Sequence, residues 1–143
     1  MKRMILAVTL LALGTVAVFA DDDPIVARRA LMKANGAATK TMVGMLKGAP
    51  YDQAAVVAAL QTYANAAAKG PGLFPDTSKT GDTNALPAIW DNKPDFEARF
   101  KKLGDDVSAA KAAITDEASF KATLPGVLKN CGGCHEKYRA KLN

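Results

Sequence analysis

Cys131-Gly132-Gly133-Cys134-His135 contains both cysteines and the single histidine of a 143-residue chain. On a helix turning about 100° per residue, positions 131, 134 and 135 fall at about 0°, −60° and +40°, inside one arc. Two thiols on that arc can each bond one edge of a porphyrin while the next residue offers imidazole to the iron. Cys-x-x-Cys-His is the attachment pattern for c-type haem. Gly132 and Gly133 point elsewhere and leave the backbone uncrowded, at about 1 kcal/mol each in helix propensity. Three other chemistries compete. A Cys131–Cys134 disulfide leaves His135 without a task. A thioredoxin-like pair needs a βαβ setting, of which there is no sign. Zinc usually takes four protein ligands, or three with an open position, and the chain has no second cysteine pair and no second histidine. One covalent haem c uses all three residues.

The other axial position then falls to a methionine or to nothing. With Met1 and Met4 in the N-terminal leader described below, Met32, Met42 and Met45 remain. In an up-down-up-down bundle the first helix begins at the end where the last one finishes. His135 lies eight residues before the C-terminus and Met32 eight after Pro24, so each sits about 12 Å from that end. Met42 would lie about 15 Å deeper and Met45 deeper still, which suits core filling. Met32 is the expected iron ligand opposite His135. Arg28 and Arg29, four and three positions before Met32, and Arg139, one turn past His135, are candidates to pair the haem propionates.

Elements must hold these groups at one depth, and the sequence supplies four helical stretches. The first opens with Asp23 as N-cap and Pro24 at the first helical position and runs to about Leu46, before Gly48 and Pro50. The second spans about Asp52 to Ala68, with Val56, Leu60, Tyr63 and Ala67 on one side; Gly70-Pro71-Gly72 is expected to stop it. Residues 70–92 read as a long loop anchored by Phe74, Leu86, Ile89 and Trp90, a length that marks a functional segment or a crossover. The third stretch opens at Pro94, and Phe96, Phe100, Leu103, Val107, Ala110 and Ile114 form a packing seam along it. Thr115-Asp116 caps the fourth, where Pro125 is expected to kink or restart the helix. The fold class is all-α, an antiparallel four-helix bundle carrying covalent haem near its C-terminus.

Residues 1–20 stand apart. Lys2 and Arg3 precede an apolar run that ends Val18-Phe19-Ala20 and turns at once to Asp21-Asp22-Asp23, the pattern of a cleaved secretory signal. About sixteen apolar residues is short of the roughly 20 that span a bilayer. The expected mature domain is residues 21–143, located in the periplasm, where 17 basic side chains stand against 14 acidic. That mild excess, without basic runs interleaved with aromatics, is no nucleic-acid footprint. It can steer a docking partner.

Haem attachment near the C-terminus of such a bundle resembles class II cytochromes c, the cytochrome c′ and cytochrome c-556 group. The resemblance covers the whole mature chain: Ala30-Leu31-Met32-Lys33-Ala34-Asn35-Gly36, Pro50-Tyr51-Asp52-Gln53-Ala54-Ala55-Val56, Leu73-Phe74-Pro75-Asp76, Ile89-Trp90, and most specifically Cys131 to Arg139, CGGCHEKYR. The group divides at the sixth iron ligand. Cytochromes c′ typically have a non-ligating residue there and a five-coordinate, high-spin iron; cytochromes c-556 have methionine and a low-spin iron. Met32 falls on that position. The resemblance therefore implies a periplasmic, non-enzymatic electron carrier that meets redox partner proteins as a monomer or homodimer. The alternative it leaves is a five-coordinate haem protein that binds NO or CO.

Overall fold

The computed structural model describes residues 23–141; the expected leader lies outside them. Four long helices are present: α1 (Pro24–Leu46), α2 (Gln53–Lys69), α4 (Lys93–Ala113) and α5 (Glu117–Tyr138), with a one-turn α3 (Ala88–Asp91) inside the long crossover. Their starts follow from side-chain caps. Asp23 accepts the Ile25 N–H at 2.8 Å, and Asp52 accepts from Ala54 and Ala55 at 2.9 and 3.1 Å. Asp116 and Ser119 form a reciprocal capping box. Each satisfies donors that a helix start leaves open.

Alpha-helical packing runs α1 on α2, α2 on α4 and α4 on α5, whereas the backbones of α1 and α5 do not pack closely. This is an antiparallel four-helix bundle. Its tight turns, 47–52 and 114–116, lie at one end; there Tyr51 meets Phe120 with ring centroids 5.5 Å apart, and Gln53 Nε2 donates to the Ile114 carbonyl at 3.3 Å. Met42, Leu60, Val107, Phe120 and Leu124 fill the core behind them, each at most 1% exposed. Met45 joins the same cluster, as its depth requires. The termini and the 70–92 crossover lie at the other end. A second cluster there is aromatic: Phe74, Phe96, Phe100 and Tyr138 with Ile89.

One local expectation is met by a different backbone route and one is corrected. Gly70 caps α2, which ends at Lys69 as expected, but without a left-handed turn. It stays right-handed (φ −52°, ψ −49°) and leads into a 3₁₀ turn, Gly70–Leu73. Its small size serves packing instead, since a Cβ there would lie 2.2 Å from Phe100 Cε1. Pro125 does not restart the last helix, which is continuous from Glu117 to Tyr138. Pro125 is exposed, so water can take the carbonyl it leaves unpaired.

Candidate haem site

Where α1 and α5 stand apart, a cavity of about 630 Å³ opens, and a second of about 320 Å³ adjoins it. Met32, Cys134, His135, Arg139 and Phe100 border both, and Cys131 borders the second. The residues expected to hold haem are thus brought together, from α1 on one side and α5 on the other. Met32 and His135 border the same space, and Met42 and Met45 do not. Ile89, Phe74, Phe96 and Tyr138 supply apolar walls. Both volumes lie within the range of about 300–1,000 Å³ usual for cofactor and small-molecule sites.

The sulfurs of Cys131 and Cys134 are not joined to each other, and both side chains are half-buried. Burial pushes both thiols up from their ordinary value. A redox pair of the thioredoxin kind requires the opposite shift. Burial, and then the charge of Arg139, pushes the His135 imidazole down, which keeps it neutral and able to ligate a metal. This donor set and lining fit a covalently attached haem.

The three arginines differ in what they touch. Arg28 is 4% exposed, and both of its terminal nitrogens are engaged by the crossover. Nη1 donates to the Leu73 carbonyl and Ser78 Oγ at 3.2 and 2.8 Å, and Nη2 to the Ser78 carbonyl and Thr83 Oγ1 at 3.0 and 2.7 Å. Its guanidinium also lies 4.8 Å from the Phe74 ring centre. Arg29 is exposed at the cavity mouth and paired with Asp82. Arg139 is exposed, borders both cavities, and forms an antiparallel bridge with Ala85. That bridge ties the crossover to the end of α5 through Leu86 N–H to Tyr138 O (3.0 Å) and Ala140 N–H to Asn84 O (2.8 Å).

Sequence reasoning missed a polar clamp on the attachment segment. Arg99, on α4, donates from Nη1 to the Gly133 carbonyl at 3.0 Å and from Nε to Asp95 at 2.9 Å. Asp95 also accepts from Tyr138 Oη and from Lys137 Nζ. These three donors hold its carboxyl well below the usual carboxylate range. The i, i+4 spacing of Asp95 and Arg99 was visible as a helix pair; its reach to Gly133 was not.

Comparison with known proteins agrees with this geometry. The family model for cytochrome c′ matches residues 23–139. A cytochrome c′ of Rhodopseudomonas palustris is 48% identical over 92% of both chains. A cytochrome c-556 of Agrobacterium fabrum is 40% identical over 80% of this chain and 79% of its own. A solved structure of Rhodopseudomonas palustris cytochrome c′ superposes with a TM-score of 0.81, at 49% identity, covering 85% of this chain and 98% of its own.

Proposed function

The chain belongs to the cytochrome c′ family of class II cytochromes c, and from that premise we propose that it is a periplasmic one-electron carrier with low-spin, His/Met-ligated haem. Family membership makes it a haem c protein of the electron-transfer or gas-binding kind. When bound, haem c supplies a one-electron iron couple whose potential the axial ligands set. Cys131 and Cys134 would hold it by thioethers, His135 would give the iron its nitrogen ligand and Met32 its sulfur ligand. The aromatic walls around Phe96 would shield the iron from water. Arg29 and Arg139 are the arginines free to meet the propionates; an exposed pair such as Arg29–Asp82 contributes only about 0–1 kcal/mol and exchanges readily. Arg28 acts one step away, by ordering the crossover that closes this end.

One observation carries the reading: Met32 and His135 border the same space from two helices whose backbones stand apart. Thioether is a soft ligand that serves iron in both oxidation states. Met32→Ala is expected to convert a low-spin optical spectrum to a high-spin one. A wild-type protein that is high-spin and forms a CO adduct promptly on reduction would overturn the carrier reading. The second reading, a five-coordinate haem protein that binds NO or CO, draws on the 48% identity with a protein named cytochrome c′.

A further inference from the structure

Charge is distributed unevenly along this chain. Residues 24–51 carry five basic side chains and no acidic one, while the rest of residues 21–143 carry twelve basic against fourteen acidic. The whole positive excess therefore belongs to α1 and its C-cap. Packing sharpens this further. Arg28 is buried in the crossover and Arg29 is paired with Asp82. Lys33, Lys40 and Lys47 are exposed and have no carboxylate partner among the described residues. Their spacing of seven places them on one stripe of the helix, about 10 Å apart, with about 20° of drift per step.

No other helix among the described residues carries such a stripe of unpaired lysines. The basic side chains of α4 are largely neutralised within the helix by Arg99–Asp95, Lys101–Asp105 and Lys102–Asp106. On α5, Lys121 pairs with Glu117 and Lys137 with Asp95, which leaves Lys129 as the single lysine of that helix without a carboxylate partner. Alpha 2 has no charged side chain before Lys69. The α1 stripe also begins at the site, because Lys33 and Arg29 border the larger cavity.

We infer that the outer face of α1 is the docking surface for an acidic redox protein, and that electrons cross beside Lys33. This rests on the carrier reading above and names its partner by charge. Unpaired lysines on a stripe attract an acidic surface over about a Debye length, some 8 Å at physiological salt, and orient it over the Met32 side of the cavity. Such fields raise association rates by about 10–10³ at low ionic strength.

The test uses reduced, haem-loaded protein and stopped-flow oxidation by ferricyanide, a trianion, across a range of ionic strengths. Wild type, Lys33→Glu/Lys40→Glu and the α5 control Lys129→Glu are compared, and each is adsorbed on a carboxylate-terminated gold monolayer for voltammetry. The double variant should react about tenfold more slowly at low salt, lose its salt dependence and fail to adsorb, with Lys129→Glu close to wild type. The cationic oxidant tris(phenanthroline)cobalt(III) should favour the double variant instead. Equal rates in all three proteins, or equal slowing in Lys129→Glu, would overturn the assignment. So would unchanged ferricyanide rates together with lost binding to phosphatidylglycerol vesicles, a result that marks a membrane surface. The optical spectrum of the same samples keeps the two readings apart. A high-spin wild type counts against the carrier, whereas charge-independent kinetics in low-spin protein count against the docking face.

Discussion

The two ends of the bundle are built on different principles. At the end with the tight turns, Met42, Val56, Leu60, Val107, Phe120 and Leu124 meet from all four long helices and are essentially inaccessible to water. At the end with the crossover, aromatic rings contact one another edge to face, Phe74 to Phe96 at 4.7 Å and Phe96 to Phe100 and Tyr138 at 5.2 Å. Those rings surround open volume. Side chains from four helices fill the first end; at the second, the rings line the cavity that the attachment residues border. The main aliphatic core and the walls of the site are thus set apart along the helix axis.

The largest test of that separation is a pair of truncations. Leu124→Ala should cost about 2–5 kcal/mol, as buried leucine truncations do, in haem-free and haem-loaded protein alike. Ile89→Ala, at the cavity wall, should cost less in haem-free protein, where the removed side chain already borders space, and more once haem is attached. Denaturant unfolding of wild type and both variants, each with and without haem, reads the difference, and equal costs would erase the distinction between the ends. A smaller effect should follow from Cys131→Ser/Cys134→Ser. Amide protection around Phe96, Phe100 and Tyr138 should fall while that of Met42 to Leu60 persists, measured by native-state hydrogen exchange. Uniform loss would show one cooperative unit.

The smallest expected effect is electrostatic and confined to the haem end. The Asp95 carboxyl is depressed in the folded protein below its unfolded value of about 3.9. Its contribution is therefore complete above that pH and disappears as pH falls through the folded value. Asp95→Asn should remove this dependence, raise the pH at which the haem spectrum changes during acid titration, and leave far-UV helicity near neutral pH intact. An acid transition identical to wild type would mean that the clamp on Gly133 has no such role.

Much of this was legible before any coordinates. Asp23, Asp52 and Asp116 announce helix starts because capping is a local transaction between neighbouring residues, and the Phe96–Ile114 seam is readable because packing repeats with the helical turn. The depth argument that separated Met32 from Met42 needed only a rise per residue and an antiparallel order. What was not legible was long-range or depended on backbone path. Arg28 reads as a propionate partner until the crossover folds back and occupies its terminal nitrogens from positions 45 to 55 residues away. Gly70 ends α2 as its type suggests, but its close approach to Phe100 depends on where α4 lies and is not written in the local sequence. The Asp95–Arg99 pair looks like ordinary surface decoration, and only the approach of α5 turns it into a hold on the attachment segment.

The crossover is held mainly by main-chain groups. Arg28 takes the carbonyls of Leu73 and Ser78, Trp90 Nε1 donates to those of Phe74 and Pro75 at 3.1 and 3.3 Å, and the bridge to α5 is backbone on both sides. Every residue type offers a carbonyl. Asn84 accepts from Ala140 through its main chain, and it is exposed and borders the larger cavity, so its side chain can change without loss of that tie. Such a position is an editable rim: a place where selection, or a designer, can rewrite what approaches the site while the ties of the crossover hold.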